Sequence, residues 1–160
     1  MTEPHDSPHD SADDSAHDSA DDRIQAPAIV FPGATTRHEQ AFRTAHDLLA
    51  RRAPKEALEV IEPALAQEPD NRGLRSLRAW AFLMRAQLQR AAEELTRLVE
   101  EDPADAWARH ALGRAYERQS DYDGALPHLR LAAAMTGDPE HELAVLRVER
   151  LAGRLDEGQR

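Results

Sequence analysis

From about residue 37 onward, apolar residues recur at helical spacing, Gly and Pro fall only at intervals, and no strict apolar–polar alternation occurs. A three-to-four-residue period of this kind predicts amphipathic helices and no strands. The pattern also repeats. An offset of 34 residues places Ala57 on Ala91 on Ala125, Ile61 on Leu95 on Leu129, and Leu48 on Phe82 on Tyr116. The same offset places Ala45 on Ala79 on Gly113, Ala64 on Leu98 on Ala132, and Pro69 on Pro103. The implied units are residues 38–71, 72–105 and 106–139, each expected to be two antiparallel helices.

Residue size fits that arrangement. Ala45, Ala79 and Gly113, with Ala57, Ala91 and Ala125, mark where two helices of a unit approach closely, because a short interaxial distance leaves little room for side chains. Ile61, Leu95 and Leu129 fill the space between units. Thr36 with Glu39 reads as a capping box, and Pro54 and Pro103 as residues of first helical turns. Pro127 lies early in its helix, whereas Pro63 lies deeper and predicts a bend. Asp138-Pro139 opens a last helix, 138–155, with an apolar stripe of Ala144, Val148, Leu151 and Leu155 that covers the end of the stack.

The repeat resembles the tetratricopeptide repeat family, whose signature is a Leu-Gly pair followed by Tyr, Ala, a large apolar residue, Ala and Pro. The third unit carries it as Leu112-Gly113, Tyr116, Ala125, Leu129 and Ala132, closing on Gly137 rather than Pro. Thr44 and Arg78 depart from the Leu position, and Ala41, Arg75 and Arg109 from the early Trp position. The resemblance covers residues 38–154 and implies an all-α helical solenoid of three helix-turn-helix repeats plus a capping helix. The domain expected is 35–156, with repeats 38–71, 72–105 and 106–139.

The resemblance further implies a protein–protein interaction module whose first helices line a concave groove for an extended or helical partner segment. Carried onto this sequence, the groove residues are Phe42, His46, Trp80, Met84, Trp107, His110, Arg114 and Arg118. Trp and Arg dominate binding energy where a partner desolvates them. Trp80 and Trp107 can equally pack between repeats. In this reading the groove is apolar towards its N-terminal half and basic at Arg114 and Arg118. The family's clamp for chaperone C-termini uses Lys, Arg and Asn. The matching positions here are Phe42, His46, Leu77, Trp107 and Ala111, so that partner class is not supported.

Composition divides the chain. Residues 1–22 hold eight acids and no Lys or Arg, so most of the formal charge of −10 sits there. Residues 23–160 hold 22 acids against 20 bases. A near-neutral domain with an acidic tail argues against nucleic acid, which needs a basic face. The segment His5–Asp22 has little but His, Asp and Ser and nothing apolar to bury, so residues 1–34 are expected to be disordered. The run Ile29-Val30-Phe31 is a candidate for docking on the first helix, and His5, His9 and His17 for weak metal buffering. No apolar run suits a bilayer and no secretory signal is present, which predicts a cytoplasmic protein, taken as a monomer.

Chemistry is absent from the pattern. There is no cysteine, so disulfides, thiol catalysis and Cys-bound zinc are excluded. His38-Glu39 and His141-Glu142 start like a zinc-protease motif, but Phe42 and Val145 stand at the second His position. Ser76 and Ser120 lie in no nucleophile turn, and no glycine-rich phosphate loop occurs. Glu93-Glu94 and Glu100-Glu101 read as solvated helix faces. Neither an enzyme nor a cofactor is expected. The alternative to a groove-binding adaptor is an assembly subunit that self-associates.

Overall fold

The computed structural model describes residues 37–158, with side chains through Gly153. Seven helices follow one another: α1 (Arg37–Ala50), α2 (Pro54–Gln67), α3 (Arg72–Met84), α4 (Leu88–Glu101), α5 (Ala106–Arg118), α6 (Tyr122–Thr136) and α7 (Pro139–Gly158). The expectations for residues 1–34, for Thr36 and for the Leu155 side chain lie outside what is described.

Each helix packs on the next, giving an all-α solenoid. The first helices also touch in series, α1 on α3 and α3 on α5, while the second helices are splayed apart. That difference curves the stack with α1, α3 and α5 inside. Ala45, Ala57, Ala79, Ala91, Ala125, Ile61, Leu95 and Leu129 are all 0% exposed. Gly113 shows why small residues recur there: a Cβ on it would lie 2.6 Å from Leu129 Cγ and 3.2 Å from the Ala125 carbonyl. Pro54 occupies the first turn of α2, and α2 and α6 run on through Pro63 and Pro127.

The 34-residue period extends to the turns. Arg52, Ala86 and Ser120 adopt left-handed backbone, with φ of 59°, 53° and 62°. After each, an amide reaches back five residues: Ala53 to Leu48, Gln87 to Phe82, and Asp121 to Tyr116, at 2.9–3.0 Å. This closes the helix carbonyls in a Schellman-type end without glycine. First helices are capped by Asn71, which accepts from the Leu74 amide at 3.1 Å, and Asp105, which accepts from the Ala108 amide at 2.8 Å. The sequence expectation for Pro103 is thereby corrected. It lies in the turn between Asp102 and Asp105, and the Asp105 side chain starts α5.

Glu94 is a second correction. It is 6% exposed rather than solvated, and both its oxygens are taken. Arg75 Nε donates to it at 2.7 Å and Arg78 Nη2 to its other oxygen, while Arg75 Nη1 donates to Glu101 at 2.6 Å. Burial opposes the Arg75 charge, but hydrogen bonds and attraction from Glu94 and Glu101 outweigh it and raise its pKa above the ordinary value. Arg75 and Arg78 stand where the repeat pattern has Trp and Leu. At these two positions charge pairing takes the place of apolar contact between α3 and α4.

Candidate functional site

The inner face is built from one side of α1, α3 and α5, extended by α7. Phe42, on α1, is 7% exposed and stacks on half-buried His46, with ring centres 6.1 Å apart. His46 in turn meets the Trp80 ring of α3, also at 6.1 Å. Trp80 is 8% exposed and belongs to the core. Half-buried Met84 lies on the same cluster. Trp107, at the start of α5, is half-buried and packs against both main apolar clusters, joining the first and second repeats to the third. The aromatic row Phe42–His46–Trp80 therefore offers its edges, with Met84 and Trp107, rather than two free indoles.

The basic end differs most from expectation. Arg114 is 5% exposed and its guanidinium pairs with Glu117, one turn along the same helix. Glu117 also accepts from Arg147 Nε of α7 at 2.7 Å. One carboxylate between two arginines holds α7 to α5, so Arg114 supplies no cation to a groove. Arg118 is exposed, but its Nη1 donates to the Leu83 carbonyl at 2.7 Å, at the negative end of α3. Leu77 and Ala111, which the clamp comparison sets on the groove, are 0% exposed inside the stack.

His110 is half-buried against His141 of α7, with ring centres 4.1 Å apart. Thr136 Oγ1 lies 2.8 Å from His141 Nδ1 and fixes the second ring. Burial first, then repulsion from His141, Arg114 and Arg147, pushes the His110 pKa down to about 3 against a weaker pull from Asp138. The folded state therefore holds His110 neutral where the unfolded chain takes up a proton. Its stabilising contribution is complete above pH 6.5 and declines as pH falls towards 3. Between pH 7 and pH 5 the loss should be about 2 kcal/mol, from some 1.5 pH units at about 1.4 kcal/mol each. Urea midpoints at the two pH values should show this fall, and His110→Gln should make it shallower. An unchanged slope in the variant would assign the acid sensitivity elsewhere.

The sequence pattern marks α7 as a cap and does not assign His141 or Arg147 to the inner face. The 34-residue offset places His141 on Trp107 and Arg147 on Gly113, which marks α7 as a first-helix equivalent. On the outer side lies a cleft of about 510 Å³ between α2 and α4, lined by Leu65, Ala66, Arg75, Arg78, Arg97 and Glu101 among others. Among the described residues no group of three or more His, Cys, Asp or Glu could hold a metal ion. No described helix is long and apolar enough to cross a membrane.

A tetratricopeptide repeat family model matches residues 48–108. No curated protein matches the sequence. Among solved structures, the Sgt2 tetratricopeptide repeat domain from Aspergillus fumigatus is similar at 22% identity and TM-score 0.71, over 80% of this chain and 87% of that one. The Arabidopsis OM64 domain is similar at 20% identity and TM-score 0.66, over 71% and 94%. The second such domain of human RPAP3, in complex with an HSP70 peptide, is similar at 17% identity and TM-score 0.63, over 71% and 98%.

Proposed function

We propose that this chain, which matches a tetratricopeptide repeat model over residues 48–108 and shares that fold, is a non-catalytic adaptor holding a partner segment along the inner face of its first helices. Domains of this fold generally mediate protein–protein interaction. The observation that carries the reading is the row of partly accessible apolar and aromatic side chains on that face: His46 on α1, Met84 on α3 and Trp107 on α5. Each lies at the rim of a packed core, so a partner would gain apolar contact without reorganising the stack. Phe42 and Trp80 back this row from beneath, His110 continues it towards α7, and Arg118 reaches back to the end of α3.

The partner this face suits is a protein or peptide with an apolar anchor. The RPAP3 domain is similar in fold and holds an HSP70 peptide. A carboxylate-clamped chaperone tail is not proposed here, since Phe42, His46, Leu77, Trp107 and Ala111 supply no clamp cation or amide. In this reading residues 35–156 form the binding domain, 1–34 lie outside it, the protein is cytoplasmic, and one copy suffices.

The test is affinity capture from a lysate of the source cell with the wild-type chain and a His46→Glu/Met84→Glu variant. Both side chains are only half-buried, so the far-UV spectrum should be retained while specific partners fall by roughly tenfold or more, as expected for charges buried against an apolar anchor. Trp107→Ala should also release them, with some loss of fold stability because its ring joins two clusters. Undiminished capture by the folded double variant would move the binding site off this face.

A further inference from the structure

The 34-residue offset aligns Leu143 and Leu146 of α7 with Arg109 and Leu112 of α5, and with Arg75 and Arg78 of α3. In the earlier repeats these positions are engaged. Arg75 and Arg78 both bond Glu94 on the second helix of their own repeat, and Leu112 is 1% exposed. On α7 no second helix follows among the described residues, and Leu143 and Leu146 stand 54% and 56% exposed. They are the most exposed large apolar residues in the described structure. The opposite side of α7 is used, with Ala144 1% and Val148 0% exposed against α6.

We infer that a second copy of this chain covers that face, with α7 packed antiparallel on its counterpart about a two-fold axis near Leu146. Charge arrangement singles out this occupant. Glu142 and Arg150 lie one helical turn on either side of Leu146, on the same outward side. Both are exposed, and neither makes an ion pair among the described residues. Antiparallel pairing sets Glu142 of each copy against Arg150 of the other, twice over, as an isologous contact requires. Parallel pairing would set like charges together. The contact needs neither the inner face nor its partner, so it stands or falls apart from the adaptor reading.

Sedimentation equilibrium on the full chain, from about 10 to about 500 µM, suits an interface this small. A reversible monomer–dimer equilibrium is expected. Leu146→Asp should abolish it with helicity unchanged, because the side chain already faces solvent. Arg150→Glu alone should weaken dimerisation roughly tenfold by opposing Glu142 of the other copy. The double variant Glu142→Arg/Arg150→Glu should restore it by exchanging the charges. A chain that stays monomeric throughout overturns the proposal. A dimer unaffected by Leu146→Asp, or a double variant as weak as the single one, also overturns it.

Discussion

Glu94→Ala is expected to destabilise the fold by about 3 kcal/mol, the low end of the penalty for breaking a buried ion pair. The carboxylate is 6% exposed and accepts from Arg75 and Arg78 at once. Its removal strands Arg75, itself 7% exposed, with Glu101 as its remaining acid. Arg78 keeps only a 3.5 Å approach to Glu62. Those two residual contacts hold the cost to the low end. Glu93→Ala is the control, since that neighbour is exposed and bonded only to Gln89, and should change stability by less than about 0.5 kcal/mol. Urea melts of both variants at neutral pH decide the matter. Equal midpoints would show that the α3–α4 contact rests on Ala79, Ala91 and Leu95 alone. Lowering pH is a poor substitute for the variant, because the acid sensitivity of His110 is superimposed on it.

The helical class was legible because it depends on local spacing. Ala57, Ala91 and Ala125 fall in register, and a 34-residue offset leaves few other architectures. The turns were less legible. Left-handed backbone is normally sought at glycine, and here Arg52, Ala86 and Ser120 carry it, so residue identity hid a period that geometry shows. The site was legible only in outline. Helix phase assigned Arg114 to the inner face, and phase alone cannot tell that Glu117 takes its guanidinium and that Arg147 of α7 shares the same carboxylate. The same holds for Glu94, whose partners lie 16 and 19 residues away on another helix. Charged residues looked like surface because composition records charge and not pairing. His46, Met84 and Trp107 remain the accessible residues in the apolar part of the expected groove. They are also residues with a long or planar body that can cover a core and still show an edge.

Truncation after Pro139 should have the largest effect of all. Without α7, Leu129 and Ala125, both 0% exposed, lose the cover of Ala144 and Val148, and the flanks of Tyr116, Tyr122 and Leu126 open as well. Glu117 keeps Arg114 but loses Arg147, and His110 loses the His141 ring. Leu129 and Val148 alone represent about 1.5–3 kcal/mol each of burial. With the severed ion pair the total reaches about 5 kcal/mol, comparable to the whole stability of a marginal domain, roughly 5–15 kcal/mol. The truncated chain should therefore aggregate or lose helicity per remaining residue, read by light scattering and far-UV circular dichroism. Leu146→Asp supplies the contrast on the same helix. It alters the outward face and leaves Ala144 and Val148 seated, so at dilute concentrations where the parent is monomeric its spectrum and melting point should match the parent. A truncated chain that stays monodisperse with parental helicity per residue would mean that α6 ends the stack unaided. The apolar contact of Ala125 and Leu129 with α7 would then contribute little to folding.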